Sequence, residues 1–597
     1  MTEGHELGSI SIHTSASLRP ARTMLEHDDD GQPTTTTSMT SRLHKRTLLK
    51  LDCLLLPFLA LLFLFNSLDK SNIGNAESAH FTTDIGLAKG DLNTAVALFF
   101  AFFVTLQPVG AALGRKYGMV AWVPSCMLLW GLSTMAHVWV RGRWQLYALR
   151  IGIGCLEAGF YPVTVSYLSL FYTRFEFGRR LSLFYGQAAV GGALGGIISY
   201  VVFAHFPDRH RAVSDPDSQW QSWQVLFLLE GSLTVIVALA GYAWLPHSVE
   251  TAWFLTPEEQ RYASSRVVKD RASQEGGAES SKHRDSNSLS PTSTIDEESH
   301  GLLHPPTTRN SGESHTATLD DRGISPHDIL SALFSPLIWH LLACNILSAI
   351  PVYAFSVFLP LVLAPLTGNT ASTSLINLLT APPHLCGAVV LYFFASYSDR
   401  NRTRLRPILL GLGIMVTGLS LVVVLPASQP VLRYISLNIL ISGAYIASPL
   451  TVAWISGNTP SPGKRALMLG INGWGNLAGV LSALLFRPQE AETGYIVPFA
   501  WTLIAVALAA GGYVLFLRNL RRENKRRRAI VAEWDAEEKE REKSEGLGPL
   551  PSEFPLLERL VAVLKKRGLA PKLVGWLEEA TQGGREGDEK MTFEYGL

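Results

Sequence analysis

The sequence predicts an all-α membrane protein in which twelve transmembrane helices fall into two sets of six. Three observations carry that fold class. Of the 597 residues, 47% are hydrophobic and only 17% charged, where soluble domains carry about a quarter. Apolar runs of about 20 residues, the length that crosses a bilayer as a helix, recur along most of the chain. A long polar segment then divides those runs evenly. Mean hydropathy is positive, which over such a length means several spans rather than a soluble core, and a net charge of +1 gives no global attraction to nucleic acid.

Taken in order, residues 1–45 are polar and rich in Ser, Thr and His, without an apolar region and cleavage site. They read as a disordered terminus, and the first span as an uncleaved insertion signal. The first half, 46–250, holds runs over 50–76, 91–113, 119–139, 144–170, 180–204 and 223–245. Residues 251–328 follow, and from Pro257 to Asp328 they are dominated by Ser, Thr, Gly, His and acidic side chains. That composition buries too little apolar surface to offset chain ordering, so it reads as a disordered linker. A short amphipathic stretch, Ile329 to Phe334, is expected along the membrane surface. The second half, 329–520, holds runs over 335–364, 372–396, 405–425, 431–456, 464–486 and 494–518. Residues 521–597 alternate basic and acidic clusters and read as a partly helical, solvated tail with a lipid contact near its basic end. Gly152, Gly154, Gly191, Gly192, Gly195 and Gly196 fit close helix packing in lipid.

Basic residues of short loops set the orientation. Arg42, Lys45, Arg46 and Lys50, then Arg115-Lys116, Arg179-Arg180, the cluster from Arg400 to Arg406, Lys464-Arg465 and the run from Arg518 to Arg528 share one side of a twelve-span threading. The other side carries Glu77, Asp84, Asp91, Asp208, Asp215, Glu490 and Glu492, with Arg141 and Arg143 as exceptions. Both termini and the linker are therefore expected in the cytoplasm. The five cysteines all fall within apolar runs and read as small buried hydrophobes with free thiols, neither a disulfide framework nor a metal site.

Four ionisable residues stand where the chain otherwise reads as membrane interior: Asp69, Lys70, Arg150 and Glu157. Charge at bilayer depth costs a few kcal/mol per residue by the lowest scales, about 3 on insertion data, so such groups mark pathways. Arg150 and Glu157 are seven residues apart, which returns them to nearly one helix face about 10 Å apart along the axis. Arg suits carboxylate capture because its planar fork donates two parallel hydrogen bonds. A carboxyl group held out of water can load and release a proton, which is the role open to Glu157. The alternative is a buried salt bridge locking two helices, Glu157 with Lys70. Asp69 and Lys70, being adjacent, point about 100° apart on a helix and need different partners. Asn72 and Asn75 continue a polar stripe along the same span; the other reading is that Asp69 and Lys70 only end the helix at the interface.

Other patterns carry less. Gly457 to Lys464 lacks the spacing and the Ser/Thr of a phosphate loop and follows no strand, so an ATP-driven pump is not indicated. Histidines of the linker show no metal spacing, and no nucleophile–base constellation of an enzyme is visible. Asn401-Arg402-Thr403 matches a glycosylation pattern but falls on the expected cytoplasmic side.

The chain resembles the fungal allantoate-permease branch of the anion:cation symporters, within the major facilitator superfamily. The likeness rests on Leu68-Asp69-Lys70-Ser71-Asn72-Ile73-Gly74-Asn75-Ala76, on Glu157-Ala158-Gly159-Phe160-Tyr161-Pro162 with Tyr167-Leu168-Ser169, and on Leu226 to Gly231. It continues through Leu245-Pro246, Glu250 to Thr256, Ser398-Asp399-Arg400, Trp454 to Thr459, Lys464-Arg465-Ala466 and Asn472-Gly473-Trp474-Gly475-Asn476. The resemblance implies two six-helix bundles around a midplane cavity, and proton-coupled import of a small organic anion such as a ureido acid or vitamin carboxylate. It implies proton coupling at Asp69 and Glu157, and anion binding at Lys70 and Arg150. Asn72, Gln187, Asn472 and Asn476 are further polar contacts for the substrate. A monomer in a fungal plasma membrane, or alternatively in the vacuolar membrane, is expected, with no cofactor and no metal. Gating falls to Arg115 and Lys116 after the second span and to Asp399 and Arg400 after the eighth.

Departures bear on these roles. Lys70 stands where the branch usually has Arg, keeping the charge and losing the fork. The loop Gly110 to Gly118 lacks the superfamily's usual Asp. His384, in Pro382-Pro383-His384, is untypical and reads either as a hydrogen-bonded structural residue or as a tuner of substrate choice. Residues from about Gly546 to Gly583 look like an insertion before a more family-like ending. A non-transporting nutrient sensor and a drug-type proton antiporter of the same fold remain the alternative functions.

Overall fold

In the computed structural model the described residues are 35–206, 220–267, 325–367, 371–549, 555–566, 574–575, 577–578 and 585–597. The disordered-terminus expectation for 1–34 and most of the linker, 268–324, lie outside them. The described residues form helices and connecting turns, without a strand. Twelve helical segments are long and apolar enough to span a bilayer: Arg42–Ser78, Asp91–Tyr117, Met119–Trp139, Arg143–Leu168, Phe184–His205, Ser222–Trp244, Pro336–Leu366, Thr373–Asn401, Leu405–Val424, Pro430–Asn458, Gly463–Leu485 and Ile496–Ala532. They are called spans one to twelve below.

Several spans are broken where their residues demand it. Span one passes through a wider, π-helical turn at Leu51–Leu55. Span four consists of Arg143–Glu157 and Phe160–Leu168. At the joint, Gly159 meets the backbone of Gly110 on span two so closely that a Cβ would lie 2.6 Å from the Gly110 carbonyl carbon. Span eight starts as Thr373–Leu378 and resumes at Ala381, just before the Pro382-Pro383 pair, which suits the first turn of a helix. Span eleven tightens to a 3-10 turn over Gly473–Asn476. Of the six glycines assigned to packing, Gly154 abuts the Phe99 carbonyl and Gly196 that of Asn377, while Gly152 faces open space.

The halves meet through spans one and seven, two and eleven, and five and eight. A Cβ on Gly74 would sit 1.6 Å from the Val357 carbonyl oxygen, so only glycine permits this backbone contact. Asn377 donates to Ser78 at 2.8 Å, and Asn93 donates to the carbonyls of Ala483 and Phe486 at 2.7 and 2.8 Å. The Gly74 contact and these hydrogen bonds lie toward the face opposite the chain termini, while Gly473 meets Gln107 nearer the middle of the spans. On the face bearing the termini, ion pairs join residues of one half. Arg180 binds both oxygens of Asp52 at 2.6 Å, Lys50 pairs with Glu259 at 2.6 Å, and Arg266 with Glu176 at 2.9 Å. Among the described residues the halves are thus joined on one face, while these ion pairs on the other stay within one half.

The chain beyond span twelve folds back on the second half. Gly596 donates to Asn458 at 2.6 Å and accepts from the Trp454 indole at 2.8 Å, Tyr595 exchanges two bonds with Asn524, and Lys464 meets Asp588 and Glu589 at 2.9 and 3.0 Å. The last residues therefore dock, and the solvated character expected of the whole tail holds for side chains such as Arg526 and Arg528. Ile329–Leu333 belongs to a short helix, Pro326–Leu333, capped by Phe334, that packs on span eleven, with Asp328 accepting from the Lys464 amide at 2.9 Å.

Candidate functional site

Span one carries the site because its polar stripe is buried against three other spans. Asp69, Asn72 and Asn75 are all nearly inaccessible, with Asn72 at 0% exposure. The 100° between neighbouring helix positions sends Asp69 and Lys70 to different helices. Asp69 Oδ1 accepts from Thr134 of span three at 2.5 Å. Lys70 reaches span four instead, where its Nζ lies 3.1 Å from Glu157 Oε2. Asn66, one turn before Lys70, joins the pair: it accepts from Lys70 at 2.5 Å and donates to the same Glu157 oxygen at 2.7 Å. The Phe103 ring lies 5.2 Å from the ammonium, adding a cation–π contact. Glu157 is 0% exposed, and its second oxygen has no partner.

Arg150 is the other pole. It is 2% exposed, and its Nε and Nη2 make no hydrogen bond. The fields of Asp69 and Glu157 reach it without direct pairing. With Lys70 it lines a small pocket of about water size, closed by Ile73, Val96, Phe99, Phe100 and, from the second half, Val357. Two cations thus share an otherwise apolar chamber between the halves. Chemically, two cations between apolar walls suit a negatively charged group, and a body larger than a water requires the halves to part.

The remaining sequence candidates are spread more widely. Asn72 sits on the stripe with both amide atoms unpartnered. Asn476 accepts from Tyr353, whose ring packs edge-on to Phe100 of the pocket. Asn472 accepts from Asn345 at 3.3 Å, in the core of the second half. Gln187 is half-buried on span five. His384 is buried, bonded through Nδ1 to the Tyr445 hydroxyl at 2.8 Å, and its ring faces Gly192 across the interface between the halves. Arg115 and Lys116 are exposed, with Lys116 over the Tyr117 ring. Asp399 pairs with Arg404 of its own half at 2.5 Å, and Arg400 is exposed. The structure brings Lys70, Arg150 and Glu157 together with Asp69 nearby, and leaves the four gating residues on separate halves. All five cysteines are free, but Cys53 and Cys386 lie on the outer surface of their spans rather than buried.

Three polar residues of the site escaped the sequence reading. Asn66 and Thr134 are uncharged and draw no attention in an apolar run, although Asn66 stands four residues before Lys70, a helical neighbour position. Glu230 is a fifth ionisable residue at membrane depth, visible in the motif Leu226 to Gly231 but not weighed as chemistry.

The family model for the Major Facilitator Superfamily matches residues 59–483. The chain belongs to that superfamily. Among its relatives, an uncharacterized transporter of Schizosaccharomyces pombe is 30% identical, covering 80% of this chain and 84% of its own. The high-affinity nicotinic acid transporter of Saccharomyces cerevisiae is 26% identical over 89% of this chain and 88% of its own. The major facilitator-type transporter hxnP of Emericella nidulans is 29% identical over 81% and 88%. Two solved folds are similar. A bacterial homolog to the human lysosomal transporter Spinster, inward-facing and occupied, has a TM-score of 0.51 at 15% identity, covering 78% of this chain and 96% of its own. The Escherichia coli xylose transporter XylE, in a partially occluded inward-open form, has a TM-score of 0.52 at 13% identity, covering 76% and 95%. This protein is accordingly a multi-pass membrane transporter of the superfamily.

Proposed function

We propose that the protein imports a small organic carboxylate together with protons, by alternating access between its two halves. The observation that carries this reading is the shared chamber of Lys70 and Arg150, with Lys70 already neutralised by Glu157. While Glu157 is ionised, it and an incoming carboxylate compete for the same ammonium. Protonation of Glu157 removes that competitor and leaves two cations for the anion. A proton therefore has to be bound before the anion is held well, which is the thermodynamic core of symport. Carrying protons also offsets the anion's charge against an inside-negative potential, where each elementary charge costs about 2.3 kcal/mol per 100 mV.

The aromatic and aliphatic walls, Phe99, Phe100 and Val96, favour a compact body such as a pyridine or ureide carboxylate. The relative named as a nicotinic acid transporter makes nicotinate the first substrate to try. Basic residues on the termini-bearing face favour a cytoplasmic location for both termini, and the fungal relatives favour a fungal plasma membrane. In that orientation the present closure corresponds to an inward-facing state. Uptake of radiolabelled nicotinate, with ureido acids and pantothenate as competitors, tests the reading in transport-deficient yeast. Uptake should be faster in acidic than in mildly alkaline medium and should collapse with a protonophore. Uptake indifferent to both rejects proton coupling.

A further inference from the structure

Span twelve does not stop at the bilayer edge. The hydrocarbon core takes about 20 residues of helix, so the helix that begins at Ile496 leaves it near Phe516 and runs on unbroken to Ala532. Through the core its outward face carries Trp501, Ile504, Leu508, Gly511 and Leu515, all exposed and spaced three and four residues apart. The same spacing continues without a slip into Arg518, Arg522 and Lys525, and these too are exposed. Arg521 lies beside them and is exposed as well. The four cations fall within about 100° of helix surface and about 10 Å of its length. The lipid-facing stripe thus turns cationic at the depth of the lipid phosphates.

Nothing in the protein answers these four charges: among the described residues none of them makes an ion pair. Other cations of the same helix are answered. Arg527 donates to carbonyls of the docked tail, and Arg526 and Arg528 pair with Glu523 and Glu594. Elsewhere on this face Lys50, Arg180 and Arg266 have carboxylate partners too. Span nine packs against span twelve. Where the chain enters span nine, on the same face, Arg402 and Arg406 are exposed and make no ion pair among the described residues. The acid close by in that turn, Asp399, is already taken by Arg404.

We propose that the surface built on Arg518, Arg521, Arg522 and Lys525 binds a phospholipid headgroup carrying phosphomonoesters, a phosphoinositide of the adjoining leaflet. Clusters of cations immediately beyond a span attract such lipids. Three of the four side chains are Arg, whose planar fork donates two parallel hydrogen bonds to a phosphate. A phosphomonoester carries about −1.5 to −2 charge near neutral pH, so two of them answer the four cations, whereas a singly charged phosphatidylserine does not. Arg402 and Arg406 add to the field from the neighbouring span. The acyl chains lie along the stripe of Leu508 and Leu515 while the headgroup meets the cations at its end. This surface is separate from the central chamber. Its cytoplasmic placing rests on the orientation proposed above, and the binding itself does not.

The test reads binding alone and needs no transported substrate. The full-length protein in detergent is titrated with phosphatidylinositol 4,5-bisphosphate and, separately, with phosphatidylserine, and bound lipid is counted by native mass spectrometry. Wild type should hold the bisphosphate lipid about tenfold more tightly than phosphatidylserine, or better. Each cation at a charged surface is worth roughly fivefold, so the double variant Arg518→Gln, Arg522→Gln should weaken that binding about thirtyfold. A second double variant, Arg541→Gln with Lys543→Gln, removes equal charge from exposed positions of the helix Ala536–Glu545. It should leave the affinity within about twofold, because those charges lie beyond screening distance of the headgroup. All four substituted side chains are exposed, and an unchanged size-exclusion profile verifies that each variant folds. The proposal is overturned if the first variant binds as wild type does, or if the second loses as much as the first. Phosphatidylserine held as tightly as the bisphosphate lipid would overturn it equally.

Discussion

Lys70 sits between two demands, and its surroundings decide which one is met. In the present structure it is held by Glu157, Asn66 and the face of Phe103. Removing one member of a buried pair strands the other charge, at a cost of about 3–5 kcal/mol. Lys70→Ala should therefore lower thermal stability in detergent markedly, while Lys70→Arg keeps the charge and should be tolerated. Glu157→Gln leaves the Lys70 ammonium without its counter-charge and should lower stability too, less than Lys70→Ala because the amide oxygen still accepts from Asn66 and Lys70. It should also make carboxylate binding independent of pH, as read by a binding titration at two pH values. Arg150→Lys replaces a fork with a point charge, and losing one charge-assisted hydrogen bond of about 1.5–3 kcal/mol should weaken anion affinity by tenfold or more with little change in stability. At this scale the four charges were legible in the sequence, because charge at membrane depth is rare. Their partners were not. Asn66 and Thr134 matter only through contacts that cross between helices, and no spacing along one chain reveals those.

The elements were more legible than their joints. Twelve apolar runs mark the spans, most of them within a few residues, since bilayer thickness fixes helix length. The break after Glu157 and the 3-10 turn at Gly473–Asn476 depend on neighbouring backbones and were not foreseen. Span twelve was expected to end near 518, yet the helix continues to Ala532 as a basic segment that receives the docked tail. There Arg527 donates to the carbonyls of Asp588, Lys590 and Phe593. Burial alone would raise the carboxyl of Glu589, but hydrogen bonds and charge from His327 and Lys464 overcome it and hold Glu589 at about 2. A depressed carboxyl stabilises above its ordinary value near 4.5, and that contribution is lost as pH falls through the folded value. Hydrogen exchange should accordingly find the amides of 585–597 protected at neutral pH, with protection fading between about pH 4.5 and about 2. Glu589→Gln should weaken the docking already at neutral pH.

Across the whole molecule, the described residues of the two halves touch through backbones and small polar groups on the face opposite the termini, and through Phe100 and Tyr353 nearer the middle of the spans. Gly74 against Val357 is the tightest of these contacts. Gly74→Val should wedge them apart, with an overpacking cost of about 1–3 kcal/mol. That should shift the population toward the state open on the face opposite the termini, and labelling of a cysteine placed at Ser78 should speed up. Two halves of six spans were readable from the polar divider, whereas the direction in which they are closed could only come from packing. Lys70, Arg150 and Glu157 lie beside that closing surface, so rocking of the halves and exchange of ionic partners act on the same chamber. The most direct measurement of this coupling is proton movement during substrate entry, followed with a pH indicator outside proteoliposomes after addition of nicotinate or another small carboxylate. Proton symport predicts alkalinisation of the outer medium in step with radiolabel uptake, abolished by Glu157→Gln. Carboxylate uptake with no accompanying proton movement would contradict it.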